Sequence, residues 1–185
     1  MLPTRVRRVV AVACAVALAA SSGCSGDDED SSDSPSETAA GATAPGPPAA
    51  MSGTGARAAK AFITYYWAVV GHAEKTGDTT TLRDLAGDGC DACDEQATRI
   101  ESVHDDGGSI SGGDATVAGL QVLDHAGNAT TYDVIADVEV ARRTVTESKD
   151  AEPVEEPATY QTLDLTVSHD DGHWMVDQWR ASSPE

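Results

Sequence analysis

Cys90-Asp91-Ala92-Cys93 is the sharpest pairing of reactive side chains in this 185-residue chain, which holds four cysteines in all. Two thiols at this spacing support three chemistries: a disulfide, a thiol oxidoreductase, or half of a zinc site. An oxidoreductase pair follows a strand and opens a helix whose dipole favours a thiolate. Here the preceding pattern reads as a short helix, and Asp88, Asp91, Asp94 and Glu95 crowd the pair with negative charge that disfavours a thiolate. Zinc needs four ligands; His104 is a conceivable third, and nothing is spaced to be the fourth. The expectation is a Cys90–Cys93 disulfide that locks a chain reversal between two helices. Its loop is short, so its entropic contribution is modest.

The other candidates for chemistry are scattered. Of the five histidines, His72 falls near the end of a helix, His125 and His169 in expected turns, and His173 at the start of a strand. Asp133, Asp137, Asp164 and Asp177 are strand carboxylates that alternation places on a solvated face. Tyr66, Trp67, Trp174 and Trp179 have two readings, lining of a ligand pocket or bulk of the core; with one Phe in the chain these rings must supply much of the interior. No Ser-His-Asp order, phosphate loop, metal set or nucleotide fingerprint is visible, so no catalytic residue, metal or cofactor is expected. The acidic clusters Asp27–Asp30, Asp105-Asp106 and Asp170-Asp171 lack the spacing and glycine of a calcium loop.

The compartment decides between the cysteine chemistries. Arg5, Arg7 and Arg8 precede an apolar run, Val9 to Ala20, too short to span a bilayer and suited to a secretory signal. The small residues Ser21-Ser22-Gly23 before Cys24 resemble a lipobox, where a cysteine is acylated and becomes the mature N-terminus; the resemblance departs at Ser21, where lipoboxes carry an aliphatic residue. An ordinary signal peptide cleaved near Ala20 or Gly23 is the alternative. Residues 1–23 are thus read as a lipoprotein signal peptide, Cys24 as the lipidation site, and the membrane as a partner through that anchor. Export to an oxidising exterior favours the disulfide.

Residues 24–54 are, beyond Cys24, mostly Ser, Asp, Thr, Ala, Gly and Pro with Glu29 and Glu37; Met51 is the one large apolar side chain, and the segment reads as a disordered tether. The chain carries a net charge of −19, and three of its 12 basic residues lie in the leader, so the mature chain is more acidic still. Phosphate repulsion argues against nucleic acid as a partner.

Residues 55–182 are long enough for one domain with a real core. Ala56 to Lys75 reads as a helix burying Phe62, Tyr66, Val69, Val70 and Ala73. A short helix follows over Thr79 to Ala86, then one over Asp91 to His104. The period then changes to two. Strands are expected at Ala115 to Asp124, Tyr132 to Val140, Tyr160 to Ser168 and His173 to Trp179, with the acidic, proline-bearing stretch Glu147 to Pro157 as a hairpin tip. Helices first, then four antiparallel strands, make the fold class α+β.

The aromatic helix Phe62-Ile63-Thr64-Tyr65-Tyr66-Trp67, then Thr76-Gly77-Asp78, Leu82-Arg83-Asp84-Leu85 and the closing Gly172-His173-Trp174-Met175-Val176-Asp177-Gln178-Trp179, resemble the nuclear transport factor 2-like (SnoaL-like) cone. With the leader and the cysteine pair, the chain is similar to an uncharacterised lipoprotein family of high-GC Gram-positive bacteria. The resemblance implies a curved sheet wrapped around helices with a pocket at its open end. It implies no single activity. The expected role is a non-catalytic module at the cell envelope that binds a small ligand or an envelope protein; the alternative is a small isomerase or dehydratase using the cone pocket.

Overall fold

The computed structural model describes residues 43–124, 128 and 130–182. The leader, Cys24, most of the expected tether, and His125 lie outside the described residues. Helix α1 (Ala56–Thr76) runs one residue past its expected end, and Gly77, in the left-handed conformation (φ 77°), caps it through its N–H to Ala73 O at 2.8 Å. Its apolar stripe buries Phe62, Ile63, Tyr66, Val69, Val70 and Ala73. The short α2 (Thr80–Asp84) and then α3 (Asp91–Asp105) complete the helical layer.

Strands β2 (Ala115–Asp124), β3 (Thr131–Val140), β6 (Thr159–Asp170) and β7 (His173–Ala181) form an antiparallel sheet in the order β2-β3-β6-β7. One face carries Val134, Ala136, Val138, Leu163, Leu165 and Val167 against the helices, the alternation expected from sequence. On the other face Thr162 donates to Asp137 (2.7 Å) and Thr166 to Asp133 (3.1 Å), which places these carboxylates outside the core. The architecture is α+β, helices packed on a curved antiparallel sheet in a cone-like arrangement.

Three short strands depart from expectation. β1 (Ser109–Gly112), β4 (Arg143–Thr146) and β5 (Val154–Glu156) form a second sheet in the order β1-β4-β5. The expected hairpin tip therefore pairs at its end, through β5, as an edge strand. The two sheets are successive parts of one bent ladder. Gly113 N–H donates to Arg142 O (3.2 Å) and Ala141 N–H to Asp114 O (3.0 Å) across the bend. Gly112 and Gly113 turn it with φ of 76° and 74°, values that side chains other than glycine rarely adopt.

A second departure concerns the tether. The sequence predicts a disordered tether over 24–54, whereas Ala49–Met51 forms a 3-10 helix and Met51 packs against the core. Trp174 Nε1 donates to Met51 O at 3.1 Å, and Gly55 N–H donates to the Tyr132 hydroxyl at 2.8 Å. A buried indole usually finds an acceptor, and for Trp174 this segment supplies one.

Candidate functional site

Trp179 reaches the interior through a bulge. Trp174, opposite His169, and Val176, opposite Val167, point inward; strict alternation would then turn Trp179 outward. The register shifts between Thr166 and Val167, so Trp179 pairs with Leu165, itself an inward residue. Trp179 thereby comes to the same interior as Trp67 and Tyr66.

These residues meet at one end of the sheet. A cavity of about 190 Å³ is lined there by Trp67, Val70, Gly71 and Glu74 of α1, Gln96 of α3, Arg143 of β4, Glu156 of β5 and Trp179 of β7, among others. A second hollow of about 290 Å³ shares Glu74, Gln96, Arg143 and Trp179 with it and extends towards Glu95 and Arg99. Arg143 stands at the centre. Its Nη1 donates to Glu74 Oε1 at 2.7 Å and its Nε to Glu156 Oε2 at 2.6 Å. The ladder bend makes room for this contact: a Cβ on Gly113 would lie 3.2 Å from the Arg143 side chain and 3.4 Å from Glu74 Oε2.

Glu74 is 7% exposed. Burial raises its pKa from the ordinary carboxylate value; Arg143 opposes the rise and Glu156 adds to it. Behind the cavity the Tyr66 hydroxyl donates to Gln96 Oε1 at 3.0 Å. Burial raises that phenol's pKa. The Trp179 indole beside it opposes the rise but forms no hydrogen bond of ordinary geometry with it. The Trp67 and Trp179 indole N–H groups are both buried without a hydrogen-bond partner. Such groups are uncommon in folded proteins and cost about 1–3 kcal/mol each.

Of the four aromatics considered for a pocket, Trp67 and Trp179 line this cavity and Tyr66 backs it. Trp174 does not belong to it. Trp174 stacks on Phe62 at the opposite end (centroids 5.6 Å apart) and borders a more open hollow with Met51 and His173. His169 lies in β6 rather than a turn, its ring 5.0 Å from that of Trp174. His104 bonds Glu74 O through Nε2 at 2.9 Å, a structural role beneath the cavity. Glu74, Arg143, Gln96 and Glu156 escaped the sequence reading. Sixty-nine residues separate Glu74 from Arg143, and no local pattern announces the pair.

Cys90 and Cys93 are joined, with Cα atoms 5.2 Å apart, and both are buried. Cys90 precedes the first residue of α3, and the segment before it is pinned to β7 by Gly87 N–H to Val176 O (2.9 Å) and Val176 N–H to Leu85 O (2.8 Å). The disulfide thus sits where α3, the helix that presents Gln96 to the cavity, is anchored to the sheet. Among the described residues no cluster of His, Cys, Asp and Glu is arranged to hold a metal, and no helix is long and apolar enough to cross a membrane.

The same α+β architecture occurs in the intermembrane space region of the chloroplast protein ARC6, with a TM-score of 0.56 and 13% identity over 71% of this chain and 99% of that one. At that identity the likeness shows the fold alone. Two looser neighbours are a protein named Rd1NTF2_05 (TM-score 0.39, 14% identity, 67% of this chain and 96% of that one) and an uncharacterised protein with a cystatin-like fold from Caulobacter vibrioides (0.37, 10%, 66% and 85%). No curated protein matches the chain. Residues 33–180 match the model described as "Family of unknown function (DUF6318)", and the chain belongs to that family.

Proposed function

We propose that this protein is an extracytoplasmic binding module, held at the cell membrane by acylated Cys24, that takes a small ligand in the cavity between α1, α3 and the sheet. The observation that carries this reading is the cavity itself: two indoles, a buried carboxylate and a guanidinium from three separate elements converge on one hollow. Its volume equals about six water molecules' share of the liquid, which suits a small ligand.

The leader supports the compartment. The chain enters the domain beside Trp174, at the start of α1, whereas Glu74 lies about 27 Å further along that helix at 1.5 Å per residue.

Glu74 favours a second reading, a small isomerase or dehydratase, because a buried carboxyl with a raised pKa suits proton transfer. Against it, Arg143 already engages that carboxylate, and no histidine is among the cavity-lining residues described.

Two experiments test the proposal. Lipid-analogue labelling of the expressed protein should mark wild type and not Cys24→Ala; an unlabelled wild type refutes the anchor. A crystallographic fragment screen should place fragments between Trp67 and Trp179. Fragments found only at the Trp174 end would overturn the cavity reading.

A further inference from the structure

We infer that the ligand is a small organic cation, a compact ammonium held against the two indoles and the carboxylates of Glu74 and Glu156. The inference rests on reading this cavity as a ligand site and adds the chemistry of what fills it.

Charge is the first ground. The cavity and its adjoining hollow are lined by three carboxylates, Glu74, Glu95 and Glu156, against two guanidiniums, Arg143 and Arg99. Arg143 alone serves both Glu74 and Glu156. Arg99 approaches Glu156 only to 3.9 Å and is drawn nearer, to 3.3 Å, by Glu147 on the outside. Carboxylates therefore outnumber guanidiniums by one around the cavity, and Glu74 is the buried one among them. The whole chain, at −19, adds a field of the same sign. An anionic ligand would meet repulsion at both scales, and a neutral one would leave Glu74 more desolvated than before. A cation offsets the cost of burying that carboxylate.

The walls are the second ground. Trp67 and Trp179 are two of the three tryptophans in the chain, and indole is the aromatic ring that attracts cations most strongly, by about 0.5–2 kcal/mol. Gln161 and Thr159 add acceptor oxygens at the rim. A volume of about 190 Å³ suits a compact head.

The test uses two probes of equal shape, choline and its uncharged carbon analogue 3,3-dimethylbutan-1-ol, titrated into the purified protein and followed by calorimetry at low and high salt. Choline should bind at least about tenfold more tightly than the alcohol, a difference of about 1.4 kcal/mol, and should weaken as salt rises. Glu156→Gln, whose amide oxygen can still accept from Arg143, should weaken choline severalfold and leave the alcohol unchanged. Equal binding of the two probes overturns the cation assignment while leaving the cavity as a ligand site. Binding of neither probe, or choline binding unaltered in both Glu156→Gln and Trp179→Leu, also overturns it.

Discussion

Arg143 reaches from β4 to Glu74 in the last turns of α1, and its Nη1 donates to Glu74 Oε1 at 2.7 Å. This contact joins the second sheet to the first helix and sets the charge of the cavity. The side chains of Glu74 and Arg143 are 10% and 24% exposed, so removing one partner strands the other in a poorly hydrated place. Arg143→Met should cost about 2 kcal/mol, somewhat under the loss expected for a fully buried pair. Glu74→Gln should cost less, and the double variant less than the sum. Urea unfolding of the four proteins measures the coupling; strict additivity would deny it.

Acid and neutral pH should act on two glutamates in opposite senses. Arg83 and Thr79 hydrogen-bond Glu101 and hold its pKa at about 2, below the ordinary 4.5. Its stabilisation is present above pH 4.5 and fades as the pH falls towards 2. Its side chain is one-third exposed, so salt should shrink the effect. Glu74, raised by burial, contributes most below pH 4.5 and less as the pH rises past its folded value. Melting temperatures across pH should show Glu101→Gln losing ground to wild type between pH 2 and 4.5. They should show Glu74→Gln gaining on wild type above pH 4.5.

How much of this was legible beforehand follows the range of the interactions. Tyr132 to Val140 alternates without interruption, and its buried face came out as read, because period two needs only the strand itself. The stripe from Phe62 to Ala73 was equally local. β1, β4 and β5 were missed because strands of three or four residues hold too few alternations to register. The inward turn of Trp179 depends on a bulge opposite Thr166 and Val167, which only the paired strand reveals. Met51 was visible as an isolated apolar residue, yet the group that holds its carbonyl, Trp174, lies 123 residues away. Glu74, Arg143 and Glu156 share the same obscurity: each reads singly as a surface charge.

The disulfide should hold α3 in place rather than take part in redox chemistry. Closing so short a loop contributes about 2 kcal/mol by chain entropy. Cys90→Ala/Cys93→Ala should lower the urea midpoint by about 1 M. It should also loosen α3 near Gln96, read as faster amide exchange there than in α1. Unchanged stability would assign the bond no structural role. Intact mass with and without reductant counts the thiols directly.

The segment before α1 belongs to the folded unit. Trp174→Phe keeps the stacking on Phe62 but removes the donor to Met51 O, and should cost about 1 kcal/mol. Deleting residues 43–54 should cost more, because Met51 is lost from the core as well. A deletion variant as stable as wild type would return this segment to the tether.

A ligand seated in the cavity lies beside two of the three indoles, and the three indole N–H signals of a ¹⁵N-labelled sample report on it separately. Trp67 and Trp179 line the cavity, while Trp174, bonded to Met51 O, serves as an internal control at the other end. Titrated with a fragment library, the protein should show the Trp67 and Trp179 signals moving together while that of Trp174 stays fixed. Ligands that shift Trp174 alone, or none of the three, would contradict the assignment of this cavity as the binding site.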